Sequence, residues 1–580
     1  GAVGGARAER SSVVFSGMGK EKAAAAWRIV PRPLLETVLN NHAQHHRVPQ
    51  PLFLHGPRGV GKTSLLLHRL LDDWNKGPHV TGYVDFGLAG RHGDHQPATP
   101  WASWSAASPP ASLTSLRAQL EQTLESMAER GVRLGSIGGR DVFSALNKWH
   151  GLHAALRQVI GRRAGAHEGE NLPISVLWSR AVLALSSKLG KEEIDASLGE
   201  TVVSNSSNTL EEVSYMREAV VSLRLAKEVI EMHRSWRRKA VQNLNQTGSF
   251  SRSLANSATD WPCLLLELLS DAAEIDHFQP KLVINNIEML RKAILMDDST
   301  VPAAMYHDSF LWRLIALGVN ERCLPVIFVT SDSYYSYQAY VDFGFPDIFI
   351  SRETFGWSLQ ESKLHMVPEF FSESEWKVID EVLGPNPRHL SELYALKQSS
   401  YYQEAMQEGW SNFEDVVDAY LAYLQVTVVN PAMESALDIL QKFIDDARNG
   451  KVPESRFHFG APWRHPPRSD AKSLLWAKIQ LMDFVQSLVN TEFGINYLAD
   501  CSLEILDDPS AVAMLEVGLL YVQRDPSFIR PISRGIQRCL VRWLVHEQMH
   551  MSFFGYILFI WQRLVRGRSY RHLMEEVGYK

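Results

Sequence analysis

The run Gly56-Pro57-Arg58-Gly59-Val60-Gly61-Lys62-Thr63-Ser64 constrains this chain more than any other feature. The apolar residues Leu52 to Leu54 precede it and Leu65-Leu66-Leu67 follow, so the stretch reads as strand, glycine-rich turn and helix. The spacing Gly-x-x-x-x-Gly-Lys-Thr is the complete phosphate-binding loop pattern, which carries meaning in that strand–turn–helix setting. Gly56, Gly59 and Gly61 let the backbone take dihedrals that other residues avoid, so successive N–H groups turn toward one anion. The helix adds unpaired N–H groups and the positive end of its dipole. Lys62 offers a charge to the β- and γ-phosphates, and the Thr63 hydroxyl a ligand to Mg²⁺. The expectation is a bound nucleotide. No Asn-Lys-x-Asp guanine signature occurs, which favours ATP over GTP.

The chain has 580 residues, enough for two to four domains at about 150 residues each. Its four cysteines lie far apart with no CxxC pair. That spacing argues against a disulfide scaffold or zinc knuckle and suits a reducing compartment. A net charge of −6 points to no particular partner. No apolar run approaches the ~18 to 20 residues that span a bilayer, so no transmembrane segment is expected. The nearest, Phe553 to Trp561, is too short and reads as a buried helix. Gly1 to Ser16 reads either as the end of an organelle transit peptide or as a leader before Met18. Organelle matrix and cytoplasm both stay open.

Beyond the loop, Val80 to Phe86 makes a second strand with Asp85 at its end, where substrate-facing residues of parallel sheets collect. A third apolar strand, beginning at Lys281, ends in Asn285-Asn286, and a fourth, from Leu324, ends in Thr330-Ser331-Asp332. Helical stretches separate them. This predicts an α/β fold: a parallel sheet with helices on both faces. The segment between the second and third strands is helical with polar linkers and reads as an insertion splitting the core. The organisation expected is a leader over 1–34, core halves over 35–110 and 262–350, and the helical insertion over 111–261. A helical lid over 351–450, a Pro-rich linker over 451–470 and an all-helical C-terminal domain over 471–580 follow.

The ordered set Gly56 to Thr63, Tyr83-Val-Asp-Phe86, Leu282-Val-Ile-Asn-Asn-Ile-Glu288 and Val329-Thr-Ser-Asp332 resembles P-loop NTPases of the STAND and AAA+ branches. The archaeal-type ATPases, and a set of plant P-loop NTPase-superfamily proteins, are the most similar groups. Ile350-Ser-Arg352 and Gly384-Pro-Asn-Pro-Arg-His-Leu390 fit the same pattern. The resemblance implies Mg-ATP as ligand and a helical lid. It also implies Ser331 or Thr330 at the sensor position beside the γ-phosphate, and Arg388 or Arg352 reaching phosphate from the lid side. This chain departs from the family at Asn285 and Asn286, where an Asp and a Glu are usual. Asn keeps an oxygen but no charge, so it supports a hard cation less well. It has no titratable group, so it cannot be a general base. A nucleotide-dependent switch or scaffold with weak or absent hydrolysis follows. The alternative is an active ATPase that borrows a carboxylate from Asp85, Asp332 or a partner subunit. Glu288 is a further candidate carboxylate, read as facing away on the following turn.

Near the C-terminus, His546-Glu547-Gln-Met-His550 has the form of a zinc-binding HExxH, but no extension follows and it reads as a surface helix with incidental histidines. Arg563, Arg566, Arg568 and Arg571 offer a nucleic-acid reading, beside a structural one at a helix C-terminus. Protein partners are expected on the insertion or the C-terminal domain.

Overall fold

The computed structural model describes residues 29–576 except 88–110, 150, 165–171, 199–208, 247–259, 295–301, 321, 334, 337–347, 368, 408, 410–411, 453–464, 468–471, 490–494, 497–507 and 525–527. The leader up to residue 28, the loop from Arg91 to Pro110 and most of the Pro-rich linker lie outside the described residues.

Helix α1 (Pro33–Gln44) leads into β1 (Leu52–His55) and α2 (Lys62–Leu65), which continues as a π-helical turn over Leu66–Leu70. Strand β2 (His79–Asp85) follows. Then come α3 (Leu113–Arg133), α4 (Gly139–Asn147), α5 (Leu152–Ala164), α6 (Ile174–Leu198), α7 (Leu210–Gln246) and α8 (Trp261–Asp271). The sheet resumes with β3 (Gln279–Asn285), α9 (Glu288–Lys292), α10 (Ala303–Val319), β4 (Val326–Thr330) and β5 (Ile350–Glu353). The five strands run in the order β2-β3-β4-β1-β5, every pairing parallel. β5 is a fifth strand beyond the four expected, and its edge position explains its weaker apolar signal: β3, flanked on both sides, is buried throughout, while β5 is half-exposed.

Side chains alternate across this sheet and so divide its core. Phe53, Val84, Leu282, Ile284 and Phe328 face α3, α8 and α10 in one cluster that continues into the helices before β3. Leu52, Leu54, Val283, Ile327 and Val329 face α1 and α2 in another. Helix α3 lies directly on β2. A Cβ at Gly82 would meet Met127 Sδ at 2.3 Å, so glycine there permits the close approach.

The remaining helices are α11 (Leu359–Met366), α12 (Glu373–Val382), α13 (Pro387–Lys397), α14 (Ser400–Gln407), α15 (Phe413–Leu424), α16 (Asn430–Arg448) and α17 (Ser473–Val489). After them come β6 (Ile495–Asn496), α18 (Pro509–Glu516), β7 (Leu520–Val522), β8 (Phe528–Pro531), α19 (Arg534–His550) and α20 (Phe553–Glu576). This corrects the expectation of an all-helical C-terminal domain, because β6, β8 and β7 form an antiparallel sheet. Helices α12, α13, α15, α16, α17 and α19 share one core cluster with this small sheet, so the helices over 373–448 and the C-terminal segment pack as a unit. No described helix is long and apolar enough to cross a membrane.

Candidate functional site

The phosphate-binding loop turns between β1 and α2 with Gly59 at φ 81° and Gly61 at φ 83°, the left-handed region that a side chain disfavours. A Cβ on Gly56 would lie 2.0 Å from the Thr354 carbonyl oxygen, so the loop also needs glycine where it passes β5. Lys62 is 4% exposed and its Nζ donates to the carbonyls of Gly56 (2.7 Å) and Pro57 (2.9 Å). Burial lowers its pKa to about 7, opposed by the carboxyl of Glu288. Pro57 and Val60 are buried, Thr63 is half-buried and Ser64 exposed.

Register brings the strand-end residues together. Asp85 and Asn285 are directly paired between β2 and β3. Asn285 Nδ2 lies 2.9 Å from Asp85 Oδ2, 3.3 Å from Thr63 Oγ1 and 3.3 Å from Tyr83 Oη. Asn286 Nδ2 donates to Asp85 Oδ1 at 2.7 Å, and the Gly87 N–H to the same oxygen at 2.9 Å. The asparagine pair thus grips a carboxylate that arrives from the neighbouring strand, beside the Thr63 hydroxyl.

Glu288 does not face away. It is 5% exposed in the first turn of α9, accepts a hydrogen bond from the Thr330 hydroxyl and acts electrostatically on both Lys62 and Arg58. Its Oε2 has no hydrogen-bond partner among the described residues. Burial, with Asp332 nearby, raises its pKa to about 7. Asn286 explains the redirection. At φ 56° it bends the chain after β3, so the next helical turn carries Glu288 inward.

Asp332, by contrast, is engaged on both oxygens, by the ammonium of Lys292 and by the Tyr335 N–H at 2.9 Å. Thr330 is fully buried and Ser331 half-buried at the end of β4. Arg388 pairs with Glu392 (2.8 Å), four residues on in α13, and repels Arg58, so its charge is felt at the loop. Arg352 is exposed on β5 and donates to the Ser351 carbonyl (3.2 Å).

Three contacts escaped the sequence reading. Arg32 ties the loop to β5, donating to Val60 O (3.3 Å), Thr354 Oγ1 (2.5 Å) and Gly356 O (2.7 Å). Gly518, between α18 and β7, abuts the Arg58 guanidinium: a Cβ there would lie 3.1 Å from Arg58 Cζ. Tyr521 of β7 bonds to His55 Nδ1 (3.1 Å) and Glu353 Oε1 (2.5 Å), while Arg524 donates to Ser351 Oγ (2.9 Å). The C-terminal sheet therefore sits on the ends of β1 and β5 beside the loop. Gly518, Tyr521 and Arg524 lie hundreds of positions from the motif, Arg32 precedes it by 24, and nothing in their local sequence marks them. In the HExxH, Glu547 pairs with Lys478 (3.0 Å) and His550 Nδ1 lies 2.8 Å from the His546 carbonyl.

A glycine-rich loop between strand and helix, at the carboxyl edge of a parallel sheet, defines a P-loop NTPase-like fold with added helical regions. No family model matches the sequence, and neither does any curated protein. Among solved structures, the chain is similar to a Walker-type ATPase of Pyrococcus abyssi, with a TM-score of 0.35 and 11% identity. The match covers 88% of this chain and 96% of that one.

Proposed function

We propose that the chain binds Mg-ATP at Gly56 to Ser64 and acts as a nucleotide-dependent switch of the STAND/AAA+ kind, with slow or absent hydrolysis. The observation that carries this reading is the Asp85–Asn285–Thr63 cluster. Mg²⁺ is typically held by one or two carboxylates together with substrate phosphates. Thr63 and Asp85 are the groups that would hold it here, with the Asn285 amide orienting both, and the ion would neutralise charge on the phosphates. Asp85 accepts from the Asn285 and Asn286 amides and from Gly87 N–H, which fixes its carboxylate beside Thr63.

The contacts of Gly518 and Tyr521 beside the loop support a switch, since a ligand at Arg58 and Lys62 would meet the C-terminal sheet directly. The lid–C-terminal unit and the helices between β2 and β3 are the surfaces through which a protein partner would read that state. The test is calorimetric ATP binding with and without Mg²⁺, alongside phosphate release. Binding that is lost in Lys62→Ala, with little or no phosphate release, supports the proposal; unchanged affinity in that variant refutes it.

One observation favours a second reading, slow turnover with Glu288 as base. Its carboxyl has an unpartnered oxygen and a pKa near neutrality, the property a general base needs. Sustained phosphate release that Glu288→Gln abolishes would establish it.

A further inference from the structure

Phe553 to Trp561 is not a buried helix. In α20, Phe553 is 81% exposed, Phe554 75%, Leu564 69% and Trp561 50%, with Ile557 and Ile560 also exposed. Their spacing puts them on one side of the helix. The opposite side anchors α20 to the body: Phe559 and Gln562 are buried, and Gln480 of α17 donates to Gln562 Oε1 at 3.1 Å. Val541, Val545 and Met549 of α19 are exposed apolar residues as well. An apolar surface of this extent on a folded protein marks a site of association.

Charge identifies the partner. Between Glu547 and the Glu575-Glu576 pair that ends α20, the sequence holds Arg563, Arg566, Arg568 and Arg571 and no Asp or Glu, in a chain whose net charge is −6. The apolar face spans twelve residues, Phe553 to Leu564, about 18 Å of helix against the ~30 Å hydrocarbon thickness, too short to cross. Aromatic and aliphatic residues on one face of a helix, followed by a concentrated positive charge, match a helix that lies in the interface of an anionic bilayer.

We propose that α20, with the exposed stripe of α19, docks this protein on the surface of a membrane rich in anionic lipid. The test is co-flotation of the full chain with vesicles of phosphatidylcholine alone and of phosphatidylcholine mixed with phosphatidylglycerol. Binding is expected to the mixed vesicles and not to the neutral ones, weakening as salt is raised. Replacing Arg566, Arg568 and Arg571 singly by Gln should weaken it about fivefold each. F553S/F554S, at two exposed positions, should weaken it about tenfold or more while leaving ATP affinity unchanged. Failure to float with the anionic vesicles overturns the proposal. So does a lipid-free dimer that F553S/F554S dissociates, which would assign the face to a second copy.

Discussion

Replacing Asp85 by Asn separates the two roles that its position allows, holding a metal and holding the strand ends. The substitution keeps the shape and removes the charge. In the native site one carboxylate oxygen accepts from Asn286 Nδ2 (2.7 Å) and Gly87 N (2.9 Å), and the other from Asn285 Nδ2 (2.9 Å). An amide has a single oxygen, so one side of this arrangement would turn donor against donor. Hydrogen bonds to a charged group are worth roughly 1.5 to 3 kcal/mol, and the half-exposed position reduces that, so a stability loss of about 1 to 2 kcal/mol is expected. The metal effect should be larger in relative terms. Losing a carboxylate that orients or holds an ion typically weakens metal affinity about 10- to 100-fold. The assay is ATP affinity by calorimetry across a Mg²⁺ series, with circular dichroism to verify the fold. The Mg²⁺ midpoint should move up by about 10- to 100-fold, with affinity in EDTA no weaker than in the native protein. A folded Asp85→Asn protein with an unmoved Mg²⁺ midpoint would refute the assignment.

Other perturbations test neighbouring parts of the site. Because burial lowers the Lys62 pKa from 10.5 to about 7, the empty protein sheds that proton as pH rises through this window, while a bound phosphate would restore it. ATP binding should therefore take up a proton above about pH 7 and weaken as pH rises, seen as calorimetric enthalpies that differ between buffers; no buffer dependence at pH 8 would count against it. The same depression makes the lysine's burial cost relax with rising pH, so it adds stability between pH 7 and 10.5. Asn285→Asp sets a second carboxylate beside Asp85, so it should destabilise the apo protein and make thermal stability strongly Mg²⁺-dependent. Gly518→Val adds a Cβ close to Arg58 at a residue with φ 77°, which should cost about 1 to 3 kcal/mol in denaturant unfolding and alter ATP affinity.

The parts of this site that were legible in the sequence are those encoded contiguously. Gly56 to Thr63 carries its own strand, turn and helix start, so its role can be read without a fold. Asp85, Asn285 and Asn286 were recognisable as strand-end polar residues, but their union depends on β2 pairing with β3 across 200 positions of sequence. Glu288 was misread because a regular continuation of β3 would carry it outward; a left-handed Asn286 is a single-residue event without a periodic signature. Strands β7 and β8 are three and four residues long, too short for alternation to show. The α20 error has a different cause. Apolar composition predicts burial only if the fold supplies a covering surface, and here α17 and β6 pack against the helix while Phe553, Phe554 and Leu564 stay exposed.

The displaced carboxylate has a consequence for how the proposed switch would work. In β3 an Asp at position 285 would sit on a strand flanked by β2 and β4, close to Thr63; Asp85 instead lies at the end of the sheet's edge strand, reaching Thr63 through the Asn285 amide. Gly87, directly after β2, is part of the hydrogen-bond set of Asp85. Glu288 lies on the interior side, against Thr330 and within the field of Lys62. The two acids thus occupy unlike environments, one solvent-facing and crowded with donors, the other dry and short of a partner. Environments that differ in this way suit different tasks, metal retention for Asp85 and proton handling for Glu288. Separating the two onto different segments would let Mg-ATP bind without hydrolysis whenever Glu288 stays turned toward Thr330. Hydrolysis would then depend on whatever moves α9, and Lys292 of that helix is bound to Asp332 and feels Glu516 of the C-terminal segment.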